Sequence, residues 1–292
     1  MGTSGQRRLG CLVLLAVLGL AGCGEQASDG GETVPSNDPG PIHVHGLGIN
    51  PTDRALFVAT HTGLFRAAVG ERRAHRVADR YQDTMGFTVV GPDRFLGSGH
   101  PDLREELPPF LGLIESRDAG KTWRTVSLQG RVDFHLLEAS GRRIYGYGSD
   151  FDSRQPRFLT SGDAGRRWSR LRAPEPLVSL AISPGDSGTL IASGERRVFR
   201  SRDGGGSWVP VDAPGAGLLA WTRGGMFLVG LDGRFWRAAP QTRSWQAGGL
   251  VGGAPAAFDT GPDDELLIAL HDGTVKQSAD AGRSWSVRSE PD

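Results

Sequence analysis

The chain has 292 residues, with 44 glycines, 18 prolines and 38% hydrophobic side chains. This glycine- and proline-rich composition favours a turn-rich all-β protein over a helical one. Thirty-three basic and 33 acidic side chains leave no net charge, so the basic face that a nucleic-acid partner requires is not indicated.

The first 22 residues are typical of a secretory leader. Arg7 and Arg8 form a positive start, and the apolar run LGCLVLLAVLGLAG that follows is too short to span a bilayer comfortably. The run ends in Leu-Ala-Gly-Cys at residues 20–23, which resembles the lipobox of bacterial lipoproteins, where the cysteine is lipidated. We therefore predict a lipoprotein signal peptide at 1–22 and lipidation at Cys23, with an ordinary secretory signal as the alternative.

Residues 23–40 are predicted to be a flexible linker, because they are polar, rich in glycine and proline, and without apolar periodicity. A tether of this kind spans roughly 20 to 25 Å. The other cysteine, Cys11, lies in the leader, so the mature chain would have no thiol pair for a disulfide or a cysteine-bound metal. We expect the folded part to stand on the outer side of the cytoplasmic membrane in the bacterial cell envelope.

A repeat occupies residues 41–290. The pattern Ser-x-Asp-x-Gly-x-x-Trp starts at residues 116, 161, 201 and 278, and a degraded copy, AAPQTRSW, covers 238–245. The spacing indicates a unit of about 40 residues, which suggests radial repetition of short strands. The pattern positions are Ser116, Asp118, Gly120 and Trp123; Ser161, Asp163, Gly165 and Trp168; Ser201, Asp203, Gly205 and Trp208; and Ser278, Asp280, Gly282 and Trp285.

This pattern resembles the Asp box, or bacterial neuraminidase repeat, of sialidases, sortilin-type receptors and photosystem II assembly propellers. In those families the box closes the turn between the third and fourth strands of a propeller blade. The residue types suit a turn, since Ser and Asp bond nearby backbone groups, Gly takes a positive φ and Trp buries area between blades. We predict an all-β fold at 41–290, a six-bladed β-propeller in which every blade owns four antiparallel strands.

The predicted strand directions separate the repeats from a histidine-rich face. Strands alternate in direction, so the turns between the third and fourth strands lie on the face opposite the turns between the second and third. The latter face carries a predicted ligand-binding group on blades 1 and 2. Asp272 is also placed on this face, and the more distant His135 and His271 are interpreted as incidental or structural. The ligand-binding group consists of His43, His45, His61, Met85 and His100.

A metal is one reading of this group. Imidazoles beside a thioether suit copper, and imidazoles beside carboxylates suit zinc or another divalent ion. The predicted metal ligands are His43, His45, His61 and His100, without support from a local metal-binding motif. No cofactor follows with certainty from the sequence.

The resemblance also raises an enzymatic alternative. Sialidases use three arginines, a Tyr and Glu pair and an Asp, but the Arg-Ile-Pro or Arg-Leu-Pro motif of the family is absent here and tyrosines are few. The activity of a different glycoside hydrolase is therefore kept as an alternative. Its candidate catalytic residues are Asp83, Asp102, Asp133, Asp150 and Tyr147.

The segments HVHGLGINP, VATHTGLFR and MGFTVVGPDRFLGSGHPDL also resemble a subgroup of small bacterial propeller lipoproteins. This resemblance points to blades 1 and 2 as the functional sector. The expected function is a monomeric, lipid-anchored binding or assembly module whose ligand on blades 1 to 3 is a glycan, a metal or an envelope protein. The alternatives are a sialidase-like glycoside hydrolase and copper or zinc handling in the cell envelope.

Overall fold

The protein is a six-bladed β-propeller. The computed structural model describes residues 38–239 and 244–291, and within these ranges 24 strands form six four-stranded antiparallel sheets, each in chain order. The predicted leader, Cys23 and the linker up to residue 37 lie outside the described residues. In the described ranges, no helix is long and apolar enough to cross a membrane.

The first three blades follow one another from Val44 to Leu171. Blade 1 contains β1 (Val44–Ile49), β2 (Leu56–Thr60), β3 (Gly63–Ala67) and β4 (His75–Arg76). Blade 2 contains β5 (Asp83–Gly91), β6 (Arg94–His100), β7 (Leu113–Ser116) and β8 (Arg124–Ser127). Blade 3 contains β9 (Val132–Ser140), β10 (Arg143–Asp150), β11 (Pro156–Ser161) and β12 (Ser169–Leu171).

The other three blades complete the ring. Blade 4 contains β13 (Leu177–Ser183), β14 (Asp186–Gly194), β15 (Val198–Ser201) and β16 (Val209–Val211). Blade 5 contains β17 (Leu218–Thr222), β18 (Gly225–Val229), β19 (Arg234–Ala238) and β20 (Gln246–Leu250). Blade 6 contains β21 (Pro255–Thr260), β22 (Leu266–Leu270), β23 (Val275–Ser278) and β24 (Ser286–Ser289).

The hydrophobic core lies between the blades. The second strands β2 (LFVAT) and β22 (LLIAL) are buried along their whole length, as expected for strands covered on both faces. Six apolar clusters bridge the six pairs of neighbouring blades. Between blades 1 and 2, for example, the rings of Phe57 and Phe95 meet edge to face with centroids 4.7 Å apart.

The Ser-x-Asp-x-Gly-x-x-Trp turns connect the third and fourth strands of blades 2, 3, 4 and 6. In the first, Ser116 Oγ donates to Asp118 Oδ1 (2.9 Å) and accepts from the N–H of Gly120 (2.8 Å), which has a φ of 82°. Asp118 Oδ1 also accepts from the Thr122 N–H (2.9 Å). The turn rests against the β5–β6 turn through the Ala119 N–H and Asp93 O (2.9 Å), so both turns lie on the same face.

Blade 6 closes onto blade 1 through apolar packing and hydrogen bonds, without a shared strand. One apolar cluster joins Val44, Leu47 and Leu56 of blade 1 to Leu267 and Ala269 of blade 6. Polar groups add to this contact at the rim, where an Arg288 guanidinium N–H donates to the carbonyls of Ala67 (3.0 Å) and Ala68 (3.2 Å). Every blade therefore keeps its own four strands.

Candidate functional site

A β-bulge recurs at one register in the innermost strands. In blades 1, 2, 3, 4 and 6 one residue of the first strand is skipped in the pairing with the second strand. Bulges re-aim a side chain and bend the strand. The skipped residues are His45, Met85, His135, Val178 and Ala256.

Two further positions are fixed by this register. Two residues before the bulge stand His43, Asp83 and Asp133 in blades 1 to 3, and Ala254 in blade 6. Opposite them, at the end of the second strand, stand His61, His100, Ser149 and His271. Every histidine of this face occupies one of the three register positions, and so do the buried Asp83 and Asp133.

A first group lies between blades 1 and 2, where Asp83 of β5 meets two histidines of blade 1. His61 Nδ1 is 2.9 Å from Asp83 Oδ2, and His45 Nε2 is 3.7 Å from Asp83 Oδ1. One ligand atom from each of the three residues lies within 4.8 Å of the others. The exposed His43, which has a positive φ of 54°, places its ring 6.2 Å from that of His61.

Two atoms of this group are buried without a hydrogen-bond partner in the described part of the chain, His45 Nε2 and Asp83 Oδ1. Their 3.7 Å separation is too long for a hydrogen bond. Tetrahedral zinc with bonds of about 2.0 to 2.1 Å separates its ligand atoms by about 3.3 Å. A small movement of either side chain would bring both atoms to the distance at which they could bind the same metal ion.

Burial sets the protonation of the first group. It lowers the pKa of His45 to about 4, helped by the nearby His61, His135 and His43, so the ring is neutral at neutral pH and offers a lone pair. Burial also raises the pKa of Asp83, and the charge of Asp133 adds to this rise while His61 and His100 oppose it. A metal ion needs neutral imidazole and ionised carboxylate, and it would favour the ionised form of Asp83.

A second group lies between blades 2 and 3 around Asp133. His135 Nε2 is 2.9 Å and His100 Nε2 is 3.4 Å from Asp133 Oδ2. The hydrogen bond with Asp133 raises the pKa of His135. The sequence interpretation treated His135 as incidental or structural, whereas the structure pairs it with Asp133, two residues earlier on β9.

The four predicted metal ligands are therefore divided. The structure brings His45 and His61 together at Asp83 and places His43 beside His61, but it directs His100 to Asp133. His100 Nδ1 is 2.8 Å from the carbonyl oxygen of Pro109.

The other carboxylate candidates have structural partners. Asp102 accepts from Arg104, which holds its pKa well below the usual range, and from the backbone N–H of Tyr81. Asp150 accepts from the hydroxyl and N–H of Ser153 and pairs with Arg157. These contacts anchor the 101–110 segment and the β10–β11 turn.

Tyr147, His271 and Asp272 lie apart from both groups. Tyr147 packs against Phe158 and lines a separate cavity of about 620 Å³ together with Arg170 and Glu175. His271 and Asp272 are exposed in the β22–β23 turn, where the Asp272 carboxylate accepts from the Thr274 N–H.

A channel runs below the histidine groups. His45 and His135 line a cavity of about 100 Å³, and a second cavity of about 380 Å³ shares Glu138 of β9 and Asp259 of β21 with it. Burial raises the pKa of Asp259 to about 7, and burial together with Asp259 raises the pKa of Glu138. The sequence interpretation missed Glu138 and Asp259. The signal that could have found them is the presence of acidic residues on predicted innermost strands, whose side chains can face the channel.

No protein-family model matches the chain, and no curated protein matches it. Solved structures match in fold. A Xanthomonas campestris gluconolactonase has a TM-score of 0.61 and 15% identity, covering 79% of this chain and 84% of its own. A chain of a nidogen/laminin complex has a TM-score of 0.62 and 15% identity, covering 81% and 93%.

A GH74 xyloglucanase from Xanthomonas campestris has a TM-score of 0.55 and 16% identity, covering 85% of this chain. This chain spans 45% of the xyloglucanase. At these identities the likeness concerns the fold alone, and it places the protein among the β-propellers.

Proposed function

We propose that this protein is a binding module of the cell envelope, tethered through lipidated Cys23, that holds a copper or zinc ion on its histidine-rich face. The observation that carries the proposal is the buried pair of His45 Nε2 and Asp83 Oδ1, 3.7 Å apart and both without a hydrogen-bond partner among the described residues. Leaving two such atoms unsatisfied costs about 1 to 3 kcal/mol each. A shared cation would satisfy both.

The donor set supports a transition metal. Two imidazoles and one carboxylate from His45, His61 and Asp83 form the kind of three-ligand set that leaves one coordination position open. His43 is exposed next to His61 and could supply a fourth nitrogen. Where His43 does not fill it, the open position would let the bound ion contact a ligand or a partner protein, which fits a binding module.

The test is metal content and affinity in protein produced without a histidine tag. We expect one tightly bound zinc ion, measured by elemental analysis and by titration after chelation. The double variant His45→Ala/His61→Ala and the single variant Asp83→Asn should weaken zinc binding by about 100-fold or more. His75→Ala is the matched control, since His75 is exposed on the outer strand β4. Wild-type protein that takes up neither zinc nor copper would overturn the proposal.

A glycoside hydrolase is a second candidate, favoured by one observation. The pKa of Asp83 is raised by burial and by the charge of Asp133, and a carboxyl group with a raised pKa beside a second carboxyl group can serve as the general acid in cleavage of a glycosidic bond. This candidate predicts turnover of an aryl glycoside that Asp83→Asn and Asp133→Asn abolish. A panel of aryl glycosides, sialosides included, that gives no turnover would count heavily against it.

A further inference from the structure

The contact between blades 2 and 3 repeats the contact between blades 1 and 2, one blade further along. At equivalent register, Met85 takes the place of His45 at the bulge and His100 the place of His61 at the end of the second strand. Asp133 takes the place of Asp83. The channel mouth therefore has two equivalent notches. The first is formed by His45, His61 and Asp83, the second by Met85, His100 and Asp133, and both carry residue types that bind metals.

Asp133 is the central carboxylate of the second notch. Its side chain is 3% exposed, and its Oδ1 is buried without a hydrogen-bond partner in the described ranges. The other oxygen, Oδ2, faces both His100 and His135. A carboxylate oxygen buried this deeply is normally hydrogen-bonded or paired with a cation.

The tautomer of His100 supplies the second argument. A carbonyl oxygen can only accept a hydrogen bond, so the contact with Pro109 O (2.8 Å) places a proton on His100 Nδ1. In the neutral ring, Nε2 then carries the lone pair and faces Asp133 Oδ2 at 3.4 Å. Two acceptor atoms in this position need a cation between them, either a proton or a metal ion.

We infer that this notch is a second metal site, in which Met85, His100 and Asp133 bind copper with His135 alongside. The inference extends the proposed function, because it adds an ion next to the first. The thioether is what distinguishes the two sites. Soft sulfur ligands select Cu(I), whereas imidazoles with a carboxylate accept zinc. The two notches should therefore differ in the metal that they prefer.

The test is anaerobic titration of tag-free protein with Cu(I), followed by desalting and elemental analysis. Wild-type protein should retain two copper ions after this titration, and one zinc ion when a separate sample is titrated with zinc instead. Met85→Leu, which keeps the side-chain volume, and Asp133→Asn should each weaken the second copper ion about tenfold or more and leave zinc binding unchanged. Met226→Leu is the matched control, because Met226 is buried on β18 of blade 5. Circular dichroism checks the fold of each variant.

The outcomes separate the two proposals. A single copper ion that Asp83→Asn removes and Met85→Leu leaves intact would overturn the second site and keep the first. A single copper ion that only Met85→Leu and Asp133→Asn weaken, in protein that binds no zinc when titrated with zinc, would keep the second site and overturn the first. Copper affinity that is unchanged in both Met85→Leu and Asp133→Asn would overturn the second site.

Discussion

At the scale of single residues, burial shifts the pKa values of the channel groups in opposite directions. It lowers the pKa of His45 to about 4 and raises the pKa of Asp259 to about 7, because a low-dielectric setting penalises whichever form is charged. The histidine is thereby kept neutral and the acid is kept partly protonated. The mouth of the channel then offers lone pairs, while its interior holds a proton near neutral pH.

Asp259 gives a pH-dependent prediction. Its pKa is higher in the folded chain than in the unfolded one, so the stabilisation it provides is present at acidic pH and is lost as the pH rises through about 7. The change from 3.8 to about 7 corresponds to at most about 4 kcal/mol. We expect Asp259→Asn to be more stable than the wild type at pH 8, by about 2 kcal/mol. This advantage should shrink as the pH is lowered to 5.

Urea unfolding at pH 5 and pH 8 measures this difference. Asp212→Asn, at an exposed position on blade 4, serves as the control and should show no pH-dependent gain. A difference between Asp259→Asn and wild type that stays constant from pH 5 to pH 8 would contradict the assignment.

At the scale of the element, the Ser-x-Asp turns stabilise the outer strand pairs of the blades. Ser161 Oγ accepts from the Gly165 N–H (2.9 Å) and donates to Asp163 (2.9 Å), and Trp168 Nε1 reaches Ser127 Oγ in the preceding blade (2.9 Å). Blade 5 lacks the serine and the aspartate, yet it forms β19 and β20. The turn therefore strengthens a strand pair that can form without it.

Ser161→Ala tests this contribution. The substitution leaves the buried Gly165 N–H without its acceptor, which should lower the free energy of unfolding by about 1 to 2 kcal/mol. Zinc and copper binding should not change, because the turn lies on the face opposite the histidines. Chemical unfolding measures the free energy of unfolding of Ser161→Ala. Ser169→Ala is the control variant, because Ser169 is an exposed serine of the same blade. An equal effect of the two substitutions would argue against a stabilising turn.

The elements also show how far the sequence could be interpreted. The repeat period and the turn chemistry are local properties, so they predict blade number, strand order and the face on which His43, His45, His61 and His100 lie. The bulge is a property of pairing between strands, and a one-residue slip decides where a side chain points. Separating His100 from His45 therefore required the structure.

At the scale of the whole molecule, the ring depends on the contact between blade 6 and blade 1. Arg54 of blade 1 bonds the buried Glu265 of blade 6 (2.5 Å) and also pairs with Asp263 (3.0 Å). Glu265 is 3% exposed, so loss of its cation would leave a buried charge uncompensated. This ion pair joins two blades that are distant in sequence.

Arg54→Met should therefore destabilise the protein by about 2 kcal/mol. Arg66→Met provides the matched control, because Arg66 pairs with Asp53 (2.8 Å) within blade 1 where both side chains are more than one-third exposed. That pair should contribute less than about 1 kcal/mol. Thermal and urea unfolding of both variants measure the difference, and equal losses would mean that the ion pair between the blades has no special role.

The same closure has a consequence for how the chain can be rewired. Since no strand is shared, the break between blades 6 and 1 is topologically equivalent to the other five, and the Glu290 N–H already donates to Arg72 O (2.7 Å) across it. A circularly permuted gene that joins blade 6 to blade 1 and begins at the 172–176 connection would keep blades 1 to 3 contiguous. Both histidine notches would then survive in a molecule whose first blade is the present fourth.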